Sequence, residues 1–156
     1  MDCKRLKDIK GVKLMANFYG IERTNYFKVT DEEKYNVLFK RLCTDTGEQV
    51  LDFTKTDNEG NTVHGFGAYG CIEFGPENED DEEYEYNMDS FYKQLKEILP
   101  KGETFIHVCT GSEKLRYLVT DVVAITRNEI KIFNAQKMAR EWALEKTSVL
   151  PTEAKY

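Results

Sequence analysis

Between Thr104 and Phe133 three strand-like runs follow one another with only short polar turns between them. Thr104 to Cys109 alternates, Leu115 to Thr126 is longer, and Arg127-Asn128-Glu129 turns the chain into Ile130 to Phe133. A crossover to a parallel neighbour needs about a dozen residues or more, so strands this close in sequence pair antiparallel. The pattern favours α+β over a doubly wound parallel sheet. It predicts a single two-layer domain, an antiparallel or mixed sheet with about three helices, in the order β-α-β-β-α-β-β-β-α.

The remaining elements follow from local signals. Asn25 to Val29 is aromatic and β-branched and predicts a strand. Thr30-Asp31-Glu32-Glu33 has the form of a capping box, with the Thr30 hydroxyl facing the Glu33 amide. Tyr35, Leu38, Phe39 and Leu42 then mark the buried stripe of a helix over 31–42. Gln49 to Thr54 predicts a strand, and Asp57-Asn58-Glu59-Gly60-Asn61 a turn. The run Thr62 to Phe74 is strand-like but holds Gly65, Gly67 and Gly70, which mark a bulge, a bend or close backbone approach. A second helix begins at a cap on Asn87 or Asp89, buries Phe91, Leu95, Ile98 and Leu99, and stops at Pro100-Lys101-Gly102. Asn134 caps a last helix with Met138, Ala139 and Trp142 grouped. Residues 1–14 read as a basic flexible arm or a start-site extension ahead of Met15, 15–150 as the single α+β domain, and 151–156 as a tail.

Composition narrows the function classes. With 156 residues, 40% apolar and 12% aromatic, the chain can build a core. No apolar run nears the roughly 20 residues of a membrane helix, so no membrane partner is expected. A net charge of −6 argues against direct DNA binding, which needs a basic footprint. Cys3, Cys43, Cys71 and Cys109 show no compact disulfide framework, and the basic N-terminal stretch lacks an apolar h-region. Reduced thiols and a cytoplasmic location are expected.

No constellation spells out a reaction. His64, Cys71, His107 and Cys109 are zinc-ligand types, and His107 and Cys109 share a strand face. No CxxC or HxxxH spacing accompanies them, so neither a metal nor another cofactor is expected. Pairs such as Cys109–His64 or Cys71–His107 would suit nucleophilic catalysis, but nothing in the spacing joins them. Gly65, Gly67 and Gly70 match a GxGxxG spacing, yet the run continues as Cys71-Ile72-Glu73-Phe74 with no helix to aim amides at a phosphate.

The charge distribution is the informative feature. Residues 56–92 hold eleven Asp/Glu and no Lys or Arg, so the whole negative balance sits there. Glu79, Asp80, Asp81, Glu82, Glu83 and Glu85, interleaved with Tyr84 and Tyr86, form its centre. A run like this is ordinarily a solvated loop, but it also suits a surface that imitates nucleic-acid phosphates and steers into a cationic cleft. The tyrosines offer cation–π contacts to arginines. Arg116 and Tyr117, in Glu113-Lys114-Leu115-Arg116-Tyr117, offer a smaller recognition patch.

The string Arg23 to Tyr35, with Asp52-Phe53-Thr54, His64-Gly65-Phe66-Gly67-Ala68-Tyr69-Gly70 and Glu113 to Tyr117, resembles a family of small proteins carried on mobile genetic elements of Gram-positive bacteria. The resemblance covers about residues 20–145 and implies an anti-CRISPR or other anti-defence role. The expected function is therefore a non-enzymatic acidic inhibitor, blocking a basic nucleic-acid-binding protein such as a CRISPR effector nuclease by phosphate mimicry. The alternatives are a small enzyme acting on RNA or a nucleotide through His64, His107 and the glycine strand, and an accessory protein of the element.

Overall fold

A computed structural model describes residues 18–77, 86–113 and 117–154. The chain runs β1 (Phe18–Thr24), α1 (Glu32–Lys40), β2 (Leu42–Thr44), β3 (Leu51–Asp52), β4 (Lys55–Thr56), β5 (Thr62–Val63), β6 (Phe66–Tyr69), β7 (Ile72–Phe74), α2 (Asp89–Ile98), β8 (Phe105–Glu113), β9 (Tyr117–Ile125), β10 (Ile130–Asn134) and α3 (Ala135–Thr147). Six strands form one antiparallel sheet in the order β10-β9-β8-β1-β6-β3, with the small pairs β2-β7 and β4-β5 beside it. This is the α+β class expected from the succession of hairpins. β8 and β9 pair from Phe105↔Ile125 to Glu113↔Tyr117, and β9 turns tightly into β10.

α1 and α2 supply the helical side of the core. Tyr35 and Leu38 from α1, and Phe91, Tyr92, Leu95 and Ile98 from α2, are buried with Phe66, Phe105, Val123 and Ile125 of the sheet. Phe66 lies at the middle of an aromatic cluster, its ring 5.8 Å from Phe91, 6.0 Å from Phe105 and 5.9 Å from His107. The pairs with Phe91 and His107 are edge-on, and such aromatic pairs add to the burial of their area. The opposite sheet face keeps Tyr19, Ile21, Tyr69 and Val108 exposed.

Several boundaries differ from the sequence reading. The first strand is Phe18–Thr24, not 25–29; the latter segment crosses to neighbouring chain through Asn25 N–H to Ile106 O and a bridge between Phe27 and His64. Gly20, Glu22 and Arg23 hide that strand from a propensity reading, because tertiary pairing with β6 and β8 overrides it. Asp31, not Thr30, caps α1, accepting Lys34 N–H at 2.8 Å, while the Thr30 hydroxyl donates to Ile98 O. The capping box gives way to a tertiary bond that ties the start of α1 to the end of α2. Leu42 leaves the helix and enters β2, still buried. The expected strand over 49–54 shrinks to Leu51–Asp52, and the run 62–74 divides into β5, β6 and β7. Met88 begins α2 without a side-chain cap bond, and Asn87 accepts the Asp89 amide. Asn134 does cap α3, accepting Lys137 N–H at 2.9 Å. Yet α3 buries none of its residues, and Met138 and Trp142 stay exposed. Residues 151–154 run back along it, where Arg140 pairs with Glu153 and donates to Pro151 O.

Candidate functional site

Most of the acidic centre, Glu79, Asp80, Asp81, Glu82, Glu83, Tyr84 and Glu85, lies outside the described residues, as do Arg116 and residues 1–14. Tyr86, where description resumes, is exposed, and Tyr117 opens β9. In sequence the acidic centre follows β7 and precedes α2. Its near flank is held: Arg41 reaches Glu77 at 3.4 Å, donates to Gly75 O, and lies over the Phe74 ring at 4.0 Å. Upstream in the same acidic stretch, Asp57 and Glu59 both meet Lys28. Amides of Asn61 and Glu59 and the Lys28 ammonium hold the Asp57 carboxyl down to about 2, well below its ordinary value.

Both histidines lie in the interior. His64, 3% exposed, stands where the chain bridges Phe27 to the β5–β6 junction. Its Nδ1 is 3.1 Å from Thr54 Oγ1 and its Nε2 2.8 Å from Glu32 Oε2. A carboxylate can only accept, so Nε2 carries the hydrogen and the Thr54 hydroxyl donates to Nδ1. Both nitrogens are used. The Tyr35 ring lies against this one, tilted by 38° with centroids 4.1 Å apart.

His107, fully buried on β8, belongs to a second polar cluster on the core face of the sheet. Strand register builds it. Glu22 on β1 is opposite Cys109 on β8, and His107 precedes Cys109 by two residues on the same face. Tyr92 of α2 comes down onto His107, its Oη 2.8 Å from Nδ1. His107 Nε2 lies 3.1 Å from Glu22 Oε2 but off the line that a hydrogen bond requires, and so has no hydrogen-bond partner. Glu22 Oε2 accepts the Ile72 amide at 3.1 Å. One donor atom each from Glu22, His107 and Cys109 lie within 4.8 Å of one another.

The glycines explain how the chain closes over this cluster. A Cβ on Gly67 would stand 2.7 Å from Glu22 O, so only glycine lets β6 approach β1 there. Gly70, at φ +111°, turns the chain so that Cys71 Sγ lies against Gly20, two residues from Glu22 on the same side of β1. The Cys71 amide then donates to Asp45 Oδ1 at 2.8 Å. The bend predicted from the glycine pattern is present, and it serves packing.

The electrostatics are one-sided. Burial first, and then the charges of Asp45 and Glu22, push the Cys71 thiol up to about 12. Burial, Glu22 and Asp121 push Cys109 up to about 12 as well. Glu73, half-buried nearby, has its carboxyl raised by burial and by Asp45 and Glu22. Among the described residues, none of Glu22, Asp45 and Glu73 has a Lys or Arg ion-pair partner.

The structure thus brings together two of the four zinc-type residues noted in the sequence, His107 and Cys109, beside Glu22; Cys71 lies outside that group on the adjoining bend, against Gly20, and His64 lies in the other cluster, with Glu32 and Thr54. Glu22 was missed. No short motif could reveal it, because it reaches Cys109 across a strand pair 87 positions long in sequence terms. Comparison with protein-family models, curated proteins and solved structures finds no match.

Proposed function

We propose that this protein is a non-enzymatic acidic binding protein that competes with nucleic acid for the cationic cleft of its partner. The partner class implied by the mobile-element resemblance is a host defence protein, such as a CRISPR effector nuclease. One observation carries the reading: eleven carboxylates and no Lys or Arg between residues 56 and 92, in a chain whose remaining two parts are each net positive. Carboxylates spaced along a segment present acceptors where a basic channel expects phosphates, and they raise the rate of encounter with it.

The burial of both histidines favours binding over catalysis. An RNA- or nucleotide-directed enzyme using His64 and His107 would need them at a surface, yet they are 3% and 0% exposed. His64 also has both ring nitrogens engaged by Thr54 and Glu32. The glycine-bearing strand spends its glycines on the approach of β6 to β1 and on the bend before Cys71, not on a cradle of amides.

The test replaces Asp80, Asp81, Glu82 and Glu83 by Asn or Gln. Stability should stay within about 0.5 kcal/mol per site, as for surface changes generally. Association with a guide-loaded CRISPR effector nuclease should slow by about tenfold or more at low salt, and wild-type binding should weaken as salt screens exposed charge over about 8–10 Å. Wild-type protein should displace the effector's target DNA. Equal inhibition by the neutralised variant and wild type across the salt range would reject the mimic.

A further inference from the structure

We propose that Glu22, His107 and Cys109 bind one zinc-type divalent metal ion, with Cys71 closing the fourth position. The proposal does not rest on the function proposed for residues 79–86.

Four observations converge. The first is geometric: a carboxylate oxygen, an imidazole nitrogen and a thiol sulfur lie within 4.8 Å of one another on two paired strands. Tetrahedral coordination with bonds of about 2.0–2.3 Å separates neighbouring ligand atoms by about 3.3–3.8 Å. The His107–Glu22 separation of 3.1 Å is close to that range, and side-chain rotation would have to bring in the thiol.

The second is an orphan. His107 is fully buried, and its Nε2 has no hydrogen-bond partner although it faces the cluster. An unpaired buried nitrogen costs about 1–3 kcal/mol, and native interiors avoid the cost unless something else uses the lone pair. In the tautomer that a metal on Nε2 requires, Nδ1–H would donate to Tyr92 Oη, 2.8 Å away, and fix the ring plane. A second partner on the far nitrogen is the arrangement by which metal-binding histidines are oriented. In a plain His–Glu ion pair Nε2–H would point along the line to the carboxylate, and here it does not.

Third, the cluster holds unbalanced negative charge. None of Glu22, Asp45 and Glu73 has a Lys or Arg ion pair among the described residues. A divalent cation would balance that charge and release the protons of the thiols it takes up. Last, the donor set is selective. Thiolate and imidazole with one carboxylate suit zinc or cobalt(II), whereas calcium and magnesium take oxygen ligands. Cys71 and Cys109 are half-buried, so the ion has an edge from which to enter. Bound there, it would tie β1, β8 and the β6–β7 bend together.

The full chain, stripped with chelator under reducing conditions, is titrated with zinc and with cobalt(II). One zinc per chain should survive desalting, the melting temperature should rise with zinc, and the cobalt form should show a thiolate-to-metal charge-transfer band. Cys109→Ser should weaken zinc binding at least tenfold and diminish that band, and Glu22→Gln should weaken binding with an unchanged far-ultraviolet circular dichroism spectrum. A cobalt spectrum without a thiolate band, or equal zinc affinity in Cys109→Ser and wild type, overturns the site. Should Cys109→Ser fail to fold, alkylation of the wild type decides: one equivalent of zinc should protect Cys71 and Cys109, and unchanged labelling of both refutes the proposal.

Discussion

His64 and His107 are the protein's two histidines, and they are held in opposite ways. Each lies within 3.1 Å of a carboxylate oxygen and has a hydroxyl on its Nδ1. His64 faces Glu32, whose side chain is half-exposed at the start of α1, and one tautomer satisfies both of its nitrogens. His107 faces Glu22, whose side chain is 10% exposed, and one nitrogen is left over. The difference comes from the elements involved. Glu32 sits on a helix end and can swing onto the ring, whereas Glu22 is fixed by strand register and by the Ile72 amide it already accepts. A satisfied histidine is a piece of architecture. An unsatisfied one beside a thiol and a carboxylate has a lone pair available to a metal.

The largest effect should come from the core that both histidines share. Leu38→Ala removes a buried side chain of α1 and should cost about 2–5 kcal/mol in denaturant unfolding. It lies on the helix that brings Glu32 to His64, so a loss below about 0.5 kcal/mol would mean that α1 does not cover the sheet as described.

A smaller and more discriminating effect belongs to the His107 side. Tyr92→Phe deletes the partner of His107 Nδ1 and should cost the stripped protein about 1–3 kcal/mol. Zinc affinity should fall about 10–100-fold as the ring loses its orientation, read by competition with a chelating dye. Loss of stability with zinc affinity intact would make Tyr92 a packing residue only and would erase the contrast between the two histidines.

The smallest effect is expected on the His64 side. Glu32→Gln replaces a half-exposed carboxylate by an amide whose oxygen can still accept from Nε2–H, and should change stability by less than about 1 kcal/mol. Zinc binding should not change. A large shift in zinc affinity in this variant would show that the two histidine regions are coupled through α1 and would sharpen the account of the core accordingly.

Much of the fold was legible because it rests on local rules. The stripe Tyr35, Leu38, Phe39 and the stripe Phe91, Leu95, Ile98 have helical spacing, and both helices lie on the sheet with those faces inward. Arg127-Asn128-Glu129 between two apolar runs produced the β9–β10 hairpin. The strand Phe18–Thr24 escaped because Gly20, Glu22 and Arg23 have poor strand propensity and are held by neighbours on both sides. The immediate neighbours of Thr30 predict a cap, but its hydroxyl donates to Ile98 O, 68 positions away.

The amino-acid sequence by itself determined the α+β class, the inward faces of α1 and α2, the capping of α3 by Asn134, and the concentration of negative charge between residues 56 and 92. These depend on spacing of a few residues, or on composition, and neither needs a partner from elsewhere in the chain. Only the tertiary structure decided which histidine would be satisfied and which would stand beside Glu22 and Cys109. That choice hangs on the register of β1 against β8 and on the turn at Gly70. A slip of one residue in that register would send Glu22 to the opposite face of the sheet, and long-range register is set by the summed packing of the whole core.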